Sequence, residues 1–177
     1  MTRLFAGLQI PDPLSQKVDL LKAAISGVRW QRMENFHITL SFIGDVEETV
    51  AKKVEESLRC VEASRFRLSL SGIGTFSKRG LPEVLWLGVI KEAGLIALKE
   101  KIDLVLQAQG LPPDKKEYSP HMTLAYLNNP DKEKLGQLLE KNKAFSVSVF
   151  EVSEFILYQS IGTKDGQIYK NVATYRL

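Results

Sequence analysis

Two histidines, the only ones in the chain, stand in matching four-residue patterns. His37 opens His-Ile-Thr-Leu and His121 opens His-Met-Thr-Leu. Residues i and i+2 of a β-strand project from the same face, so each histidine shares a face with the threonine of its own pattern, Thr39 or Thr123. An imidazole titrates near neutral pH, and a hydroxyl can donate a hydrogen bond to a phosphoryl oxygen. The two pairs therefore predict a metal-free phosphodiester site with a proton donor, a proton acceptor and two phosphate-binding hydroxyls.

Other readings of these residues fit less well. A single histidine on a strand is more often a structural residue, but two matched copies are rarely produced by chance composition. Two histidines and one cysteine, Cys60, supply too few ligands for a zinc site. Neither the Gly-x-Ser-x-Gly pattern nor the Gly-x-x-x-x-Gly-Lys pattern occurs. We therefore expect no metal and no cofactor.

The two patterns belong to a weak internal repeat. Sliding the chain by 84 residues aligns 37–43 with 121–127, and each segment precedes an amphipathic helix and a strand that begins near Phe66 or Phe145. Strands with one apolar and one polar face are typical of antiparallel sheets. We predict an α+β fold that is bilobal, with two antiparallel sheets related by a pseudo-twofold axis, lining a central cleft, and helices on the outside. Residues 1–177 are expected to form a single two-lobed domain whose duplicated strand-helix-strand units start near 37 and 121.

Apolar stripes and end signals predict four helices. The first starts at Asp12 and runs to Gly27, and the second opens at a capping box of Asp45 and Glu48. The third ends before Gly110, and the fourth opens after residues 129–130. The predicted strands are 4–10, 37–43, 66–71, 84–90, 122–127, 145–151, 155–158 and 168–177, and residues 72–74 predict a turn.

The composition is that of an ordinary globular protein. Of 177 residues, 44% are hydrophobic and 25% charged, and the net charge of +3 is too small for binding by charge alone. The N-terminus lacks the apolar core of a signal peptide, and the longest bulky apolar run, 84–90, is too short to span a membrane. The lone Cys60 fits a reducing compartment. We expect a soluble cytoplasmic monomer with no membrane association and no obligate protein partner.

The two patterns and their surroundings resemble the two-histidine phosphoesterase superfamily. They are most similar to its RNA 2',3'-cyclic phosphodiesterases, also called 2'-5' RNA ligases, which carry two His-x-Thr-x (HxTx) motifs. The similarity extends almost from end to end. It is carried by residues 3–6, 34–44, 74–76, 82–88, 120–124 and 157–160, followed by Gly166 and Tyr169.

The resemblance implies both the bilobal fold and a reaction. RNA ends or cyclic nucleotides would be the substrate, and water would open an RNA 2',3'-cyclic phosphate to leave a 2'-phosphomonoester. His37 would be the proton donor to the leaving 3' oxygen, and His121 the proton acceptor that activates water. Thr39 and Thr123 would bind the phosphoryl oxygens. Three alternatives stay open: 2'-5' RNA ligation, action on other cyclic or 2'-5' nucleotides, and a non-catalytic module that binds RNA ends.

The chain departs from these relatives in the charges around the second motif. Relatives often carry basic residues just before its proline and shortly after its leucine, where this chain has Ser119 and the pair Ala125-Tyr126. Phosphate charge must then be met elsewhere. The exposed cations are candidates that we do not assign as sites: Arg29, Arg32, Lys78, Arg79, Lys164 and Lys170.

Aromatic side chains near the predicted cleft could stack on the terminal base, because every base has a π-face. Phe5, Trp30 and Tyr118 are the candidates. In a regular strand Tyr126 lies on the opposite face to His121, which predicts a place in the core. Trp86 lies in a continuous apolar run, which also predicts the core.

Overall fold

A computed structural model describes residues 1–112, 116–164 and 166–177. This part of the chain contains four α-helices: α1 (Asp12–Asp19), α2 (Glu48–Ser57), α3 (Ala93–Ala108) and α4 (Lys132–Asn142). It also contains nine strands: β1 (Thr2–Gln9), β2 (Val28–Trp30), β3 (His37–Val46), β4 (Phe66–Lys78), β5 (Leu81–Val89), β6 (His121–Leu127), β7 (Ser146–Val152), β8 (Glu154–Thr163) and β9 (Gly166–Arg176). None of the described helices is both long enough and apolar enough to span a membrane.

The strands form an antiparallel sheet in the order β7-β4-β5-β6-β3-β1-β8-β9, with β2 added beside β6. It divides into a His37 half, made of β3, β1, β8 and β9, and a His121 half, made of β6, β5, β4 and β7. The halves meet where Ile38 of β3 pairs with Met122 of β6. The predicted α+β class with antiparallel strands is confirmed, and the two expected sheets are joined into one at this central pair.

The chain passes repeatedly between the halves. β4 follows the strand of His37 and helix α2, yet it pairs with β5 and β7 in the His121 half. β8 follows β7 directly, yet it pairs with β1 and β9 in the His37 half. The strands of the His121 half, β4 to β7, are thus consecutive in sequence, whereas the His37 half is split into β1 and β3 before them and β8 and β9 after them.

A single hydrophobic core backs both motif strands. Ile38, Leu40, Met122 and Leu124 are at most 1% exposed and belong to one cluster with residues of α3. Burying a side chain of this size stabilises the fold by about 1.5–3 kcal/mol. The core thus fixes the face of each motif strand that turns away from it.

Two helix starts or ends differ from the sequence prediction. α1 ends at Asp19 and not near Gly27. Leu21 and Ile25 are buried outside the helix, because backbone hydrogen bonds from Asn128 to Gly27 and from Asp131 to Ser26 hold this segment against the start of α4. The capping box predicted at Asp45 is wrong, since Asp45 lies within β3 as the partner of Arg3.

The turn predicted at residues 72–74 is also wrong. β4 runs through this segment, with a register shift between Leu70 and Ile73 and a φ of +79° at Gly72, which marks a β-bulge. Gly74 pairs with Trp86, and a Cβ on Gly74 would lie 2.5 Å from the indole ring. The missing side chain lets Trp86 lie half-buried over β4, so its predicted place in the core is corrected.

Candidate active site

The four predicted site residues lie together at the centre of the sheet. Ile38 and Met122 face the core, so His37, Thr39, His121 and Thr123 project from the opposite face, which we call the motif face. The strands are antiparallel, so pairing of Ile38 with Met122 directs His37 towards Thr123 and Thr39 towards His121. All four side chains are half-buried. Two imidazoles and two hydroxyls thus surround one patch of surface.

Both imidazoles are held in the same way. Nδ1 of His37 lies 2.8 Å from the carbonyl oxygen of Asn35, and Nδ1 of His121 lies 2.8 Å from that of Ser119. A carbonyl oxygen only accepts, so each Nδ1 carries the proton and donates it. Nε2 is therefore the nitrogen that gains or loses a proton, and that of His37 is 3.2 Å from the Thr39 hydroxyl. Each histidine thus has its Nδ1 engaged and its Nε2 left for proton transfer.

Aromatic rings enclose His37. Its ring centroid lies 4.8 Å from that of Phe5, 4.9 Å from that of Tyr169 and 6.0 Å from that of Tyr158. Burial lowers the pKa of His37 to about 4, although the hydrogen bond to Asn35 favours the charged form, and the neighbouring charge of His121 lowers the pKa further. His37 is thus neutral at pH 7 before substrate binds. The ring centroid of Phe76 lies 4.7 Å from that of His121.

Matching β-bulges follow the two motifs. The pairing of β1 with β3 skips Leu40, and the pairing of β5 with β6 skips Leu124. The extra residue changes the alternation of the strand, so Phe42 and Tyr126 return to the motif face. The predicted core position of Tyr126 is therefore wrong. Tyr126 is half-buried, and its hydroxyl interacts with that of Tyr169, the residue whose ring contacts His37.

The aromatic candidates have different positions. Phe5 lies on the motif face against His37. Trp30 donates its Nε1–H to the carbonyl of Ala23 at 2.8 Å and packs against the core. The hydroxyl of Tyr118 donates to the carbonyl of Thr39 at 2.9 Å, so this ring ties the segment before β6 to β3. Burial raises the pKa of Tyr118, and its hydroxyl stays a donor at neutral pH.

A sequence model of the 2'-5' RNA ligase superfamily matches residues 10–164. The chain belongs to this superfamily. An RNA 2',3'-cyclic phosphodiesterase of Aeropyrum pernix is 40% identical over 141 residues, which cover 78% of this chain and 80% of that protein. The enzyme of the same name from Archaeoglobus fulgidus is 34% identical over 176 residues, covering 98% and 99%.

Solved structures of low sequence identity share the fold. E. coli LigT in its apo form has a TM-score of 0.79 at 22% identity, covering 99% of this chain and 97% of LigT. LigT complexed with 3'-AMP has a TM-score of 0.80 at 21% identity, covering 99% and 98%. The fold of LigT is thus shared over 99% of this chain.

Sequence reasoning did not find all the rings around the site of this superfamily member. Tyr158, Tyr169 and Phe76 reach the histidines from strands that lie far away in sequence. The sequence did carry a signal for two further rings of the motif face, those of Phe42 and Tyr126. The 84-residue repeat that aligns the histidines also aligns Phe42 with Tyr126, and aromatic residues at both positions point to a shared location on the motif face.

Proposed function

We propose that the protein hydrolyses RNA 2',3'-cyclic phosphate ends to 2'-phosphomonoesters, without a metal, through His37 and His121. One observation carries the proposal: both imidazoles donate Nδ1–H to a backbone carbonyl two residues earlier and leave Nε2 for proton transfer on one face. Relatives with 40% and 34% identity over most of the chain are named RNA 2',3'-cyclic phosphodiesterase, which supports this substrate class.

In the proposed reaction a water oxygen attacks the phosphorus while the bond from phosphorus to O3' breaks. Nε2 of His121 accepts a proton from the water, and Nε2–H of His37 donates one to O3'. Thr39 and Thr123 donate their hydroxyl hydrogens to the two non-bridging phosphoryl oxygens. The product carries a 2'-phosphate and a 3'-hydroxyl. Proton exchange with solvent then restores the starting protonation states.

The enclosure of His37 bears on the direction of proton transfer. Because the pKa of His37 is about 4, its Nε2 gains the proton that it must donate only when a bound phosphate anion favours the charged imidazole. The low pKa favours a second assignment, in which neutral His37 takes the proton from water and His121 protonates O3'. Both assignments need both histidines, and they differ only in which imidazole assists the leaving group.

The leaving group can separate these two assignments. A cyclic substrate with sulfur in place of O3' releases a thiolate, whose conjugate acid has a pKa near 8.5, and it therefore needs little help from an acid. If His37 is the proton donor, the activity of His37→Ala on the thio substrate should approach that of the wild type. His121→Ala should remain much slower than the wild type on both substrates. Recovery of His121→Ala alone would reverse the assignment.

The reaction itself is tested with a short RNA that ends in a 2',3'-cyclic phosphate. Phosphorus NMR in EDTA should show its conversion to a 2'-phosphomonoester by the wild type. His37→Ala and His121→Ala should each lower kcat by about 10²- to 10⁴-fold. The double variant should be little slower than the slower single variant, because the two groups act as a unit. Circular dichroism of each variant controls for folding.

Other outcomes would redirect the proposal. Full activity in either single variant would contradict acid-base catalysis by the pair. Binding of the RNA end by the wild type without turnover would favour a non-catalytic module. Ligation can use the same acid and base in reverse, but water at about 55 M favours hydrolysis. Joined 2'-5' products in the same NMR assay would identify ligation directly.

A further inference from the structure

Arg29 is held beside the motif face in an unusual way. It lies on β2 opposite Tyr126 of β6, and its guanidinium carbon is 4.7 Å from the centroid of the Tyr126 ring. On another side it approaches Gly166 at the start of β9, where a Cβ would lie 2.8 Å from Nη1 of Arg29. Gly166 has a φ of +121°, a conformation that favours glycine. The guanidinium is thus confined by the Tyr126 ring and the Gly166 backbone.

This contact connects Arg29 to the histidine site. The hydroxyl of Tyr126 interacts with that of Tyr169, and the Tyr169 ring meets that of His37 edge-on at 4.9 Å. The positive charge of Arg29 also acts on Tyr169, since it opposes the rise in the pKa of that hydroxyl caused mainly by burial. Arg29 therefore lies near the phosphate site, but separated from His37 by two aromatic residues.

The charge of Arg29 is available for a ligand. Among residues 1–112, 116–164 and 166–177, no carboxylate forms an ion pair with it, whereas Nε of the nearby Arg32 lies 3.9 Å from Glu34. Arg29 is exposed and, with Tyr126, lines an open depression of about 430 Å³ together with Gly27, Val28, Leu127 and Asn128. This volume is in the range that holds small organic ligands. A stacked guanidinium offers a fork of N–H donors that suits a phosphate.

We propose that Arg29 binds the phosphodiester on the 5' side of the terminal nucleotide and so gives the enzyme a preference for RNA chains over mononucleotides. The inference rests on the proposed function, in which the cyclic phosphate lies between His37 and His121. Two rings separate Arg29 from His37, which places its ligand beyond the scissile group. The neighbouring phosphate is the next anion along the chain.

Two substrates that differ by this phosphate test the proposal. Adenosine 2',3'-cyclic phosphate lacks it, and the dinucleotide ApA ending in a 2',3'-cyclic phosphate has it. Arg29→Ala should lower kcat/KM for the dinucleotide about tenfold, the cost of a charge-assisted contact at an exposed site, and leave the mononucleotide within about twofold. Arg29→Lys should give an intermediate kcat/KM for the dinucleotide, because it keeps the positive charge but loses the planar guanidinium that stacks on Tyr126. Arg59→Ala is the matched control, since Arg59 pairs with Glu55 at 3.6 Å outside the motif face.

Salt dependence gives a second measurement. On the dinucleotide, the slope of log kcat/KM against log salt should be shallower for Arg29→Ala than for the wild type, by up to about 0.7 for one lost phosphate contact. Equal losses on both substrates would overturn the proposal and assign Arg29 to the scissile phosphate or to folding. An unchanged kcat/KM of Arg29→Ala on both substrates would show that Arg29 does not bind substrate. If the wild type hydrolysed neither the mononucleotide nor the dinucleotide, the proposed function itself would be overturned.

Discussion

The His37 side chain combines a reactive nitrogen with an apolar enclosure. Its Nδ1 is fixed by the Asn35 carbonyl, and rings of Phe5 and Tyr169 cover it on two sides. The same rings that orient the imidazole remove water from it, and desolvation disfavours the charged form. Geometry suited to proton transfer therefore carries a cost in stability whenever the imidazole is charged without an anion nearby.

The first prediction concerns this cost. The pKa of His37 is about 4 in the folded state and about 6.5 unfolded, so the unfolded chain binds more protons between these values. The free energy of unfolding should thus rise with pH through this window and fall as pH drops from 6.5 to 4. His37→Gln removes the titration, and between pH 7 and pH 4 the wild type should lose about 3 kcal/mol more than the variant in urea denaturation.

His121→Gln provides the control for that experiment. It removes only the smaller effect of the His121 charge on His37. Most of the pH dependence of the wild type should therefore remain in this variant. Parallel stability curves for the wild type and His37→Gln would show that the enclosure does not shift the pKa of His37.

At the scale of single residues, sequence reasoning located His37, Thr39, His121 and Thr123 on one face because strand alternation holds across three residues. It misplaced Tyr126 because a bulge at Leu124 lies between that residue and the motif. A bulge depends on the partner strand, and strand pairing is not written in local sequence. Trp86 was misplaced for a related reason, since only the register with Gly74 shows where its indole fits.

Among the elements, the segment before β6 carries a connection between the two motifs. Tyr118 lies three residues ahead of His121 and donates its hydroxyl hydrogen to the carbonyl of Thr39 on β3. Nζ of Lys99 on α3 lies 5.1 Å from the centre of the Tyr118 ring and also pairs with Asp103. The hydrogen bond from Tyr118 to Thr39 therefore joins the segment that precedes His121 to β3, the strand that carries His37.

The second prediction compares two tyrosines. Tyr118→Phe removes a 2.9 Å hydrogen bond to the Thr39 carbonyl, and Tyr175→Phe removes a bond of the same length to the Glu55 carbonyl on α2. Each should lower the free energy of unfolding by about 1 kcal/mol. Only Tyr118→Phe should also lower kcat several-fold with little change in KM, because it loosens β3 against β6. Equal kcat values in both variants would show that the Tyr118 bond is structural only.

Element ends were harder to predict than element types. The apolar stripes predict α3 and α4 correctly, since Leu98 and Ile102 of α3, like Leu135 and Leu138 of α4, lie at helical spacing and are buried. The stripe of α1 continues to Ile25, but the chain leaves the helix at Asp19 because residues 26 and 27 bond to the segment before α4. β2 pairs with β6, and its three residues are too few to give a periodic signal.

On the scale of the molecule, the two halves exchange strands. β4 and β8 each follow one repeat in sequence and complete the sheet of the other half. The core is likewise shared, since Leu40 and Leu124 belong to one cluster with Leu85 and Leu157. The direct pairing of the halves through Ile38 and Met122 is short, so the exchanged strands and common core supply most of their connection.

The last prediction follows from this exchange. We propose that residues 1–177 fold as one cooperative domain, because the strands of the His37 half lie on both sides of the His121 half in sequence and the two halves share one core. Native-state hydrogen exchange should give the slowest amides of β1 and β5 the same opening free energy, within about 1 kcal/mol, and the same dependence on urea. These strands occupy matching positions in opposite halves, each beside a motif strand. A lower opening free energy and a smaller urea slope in one of them would mean that its half opens first, and the two histidines would then separate before the chain unfolds.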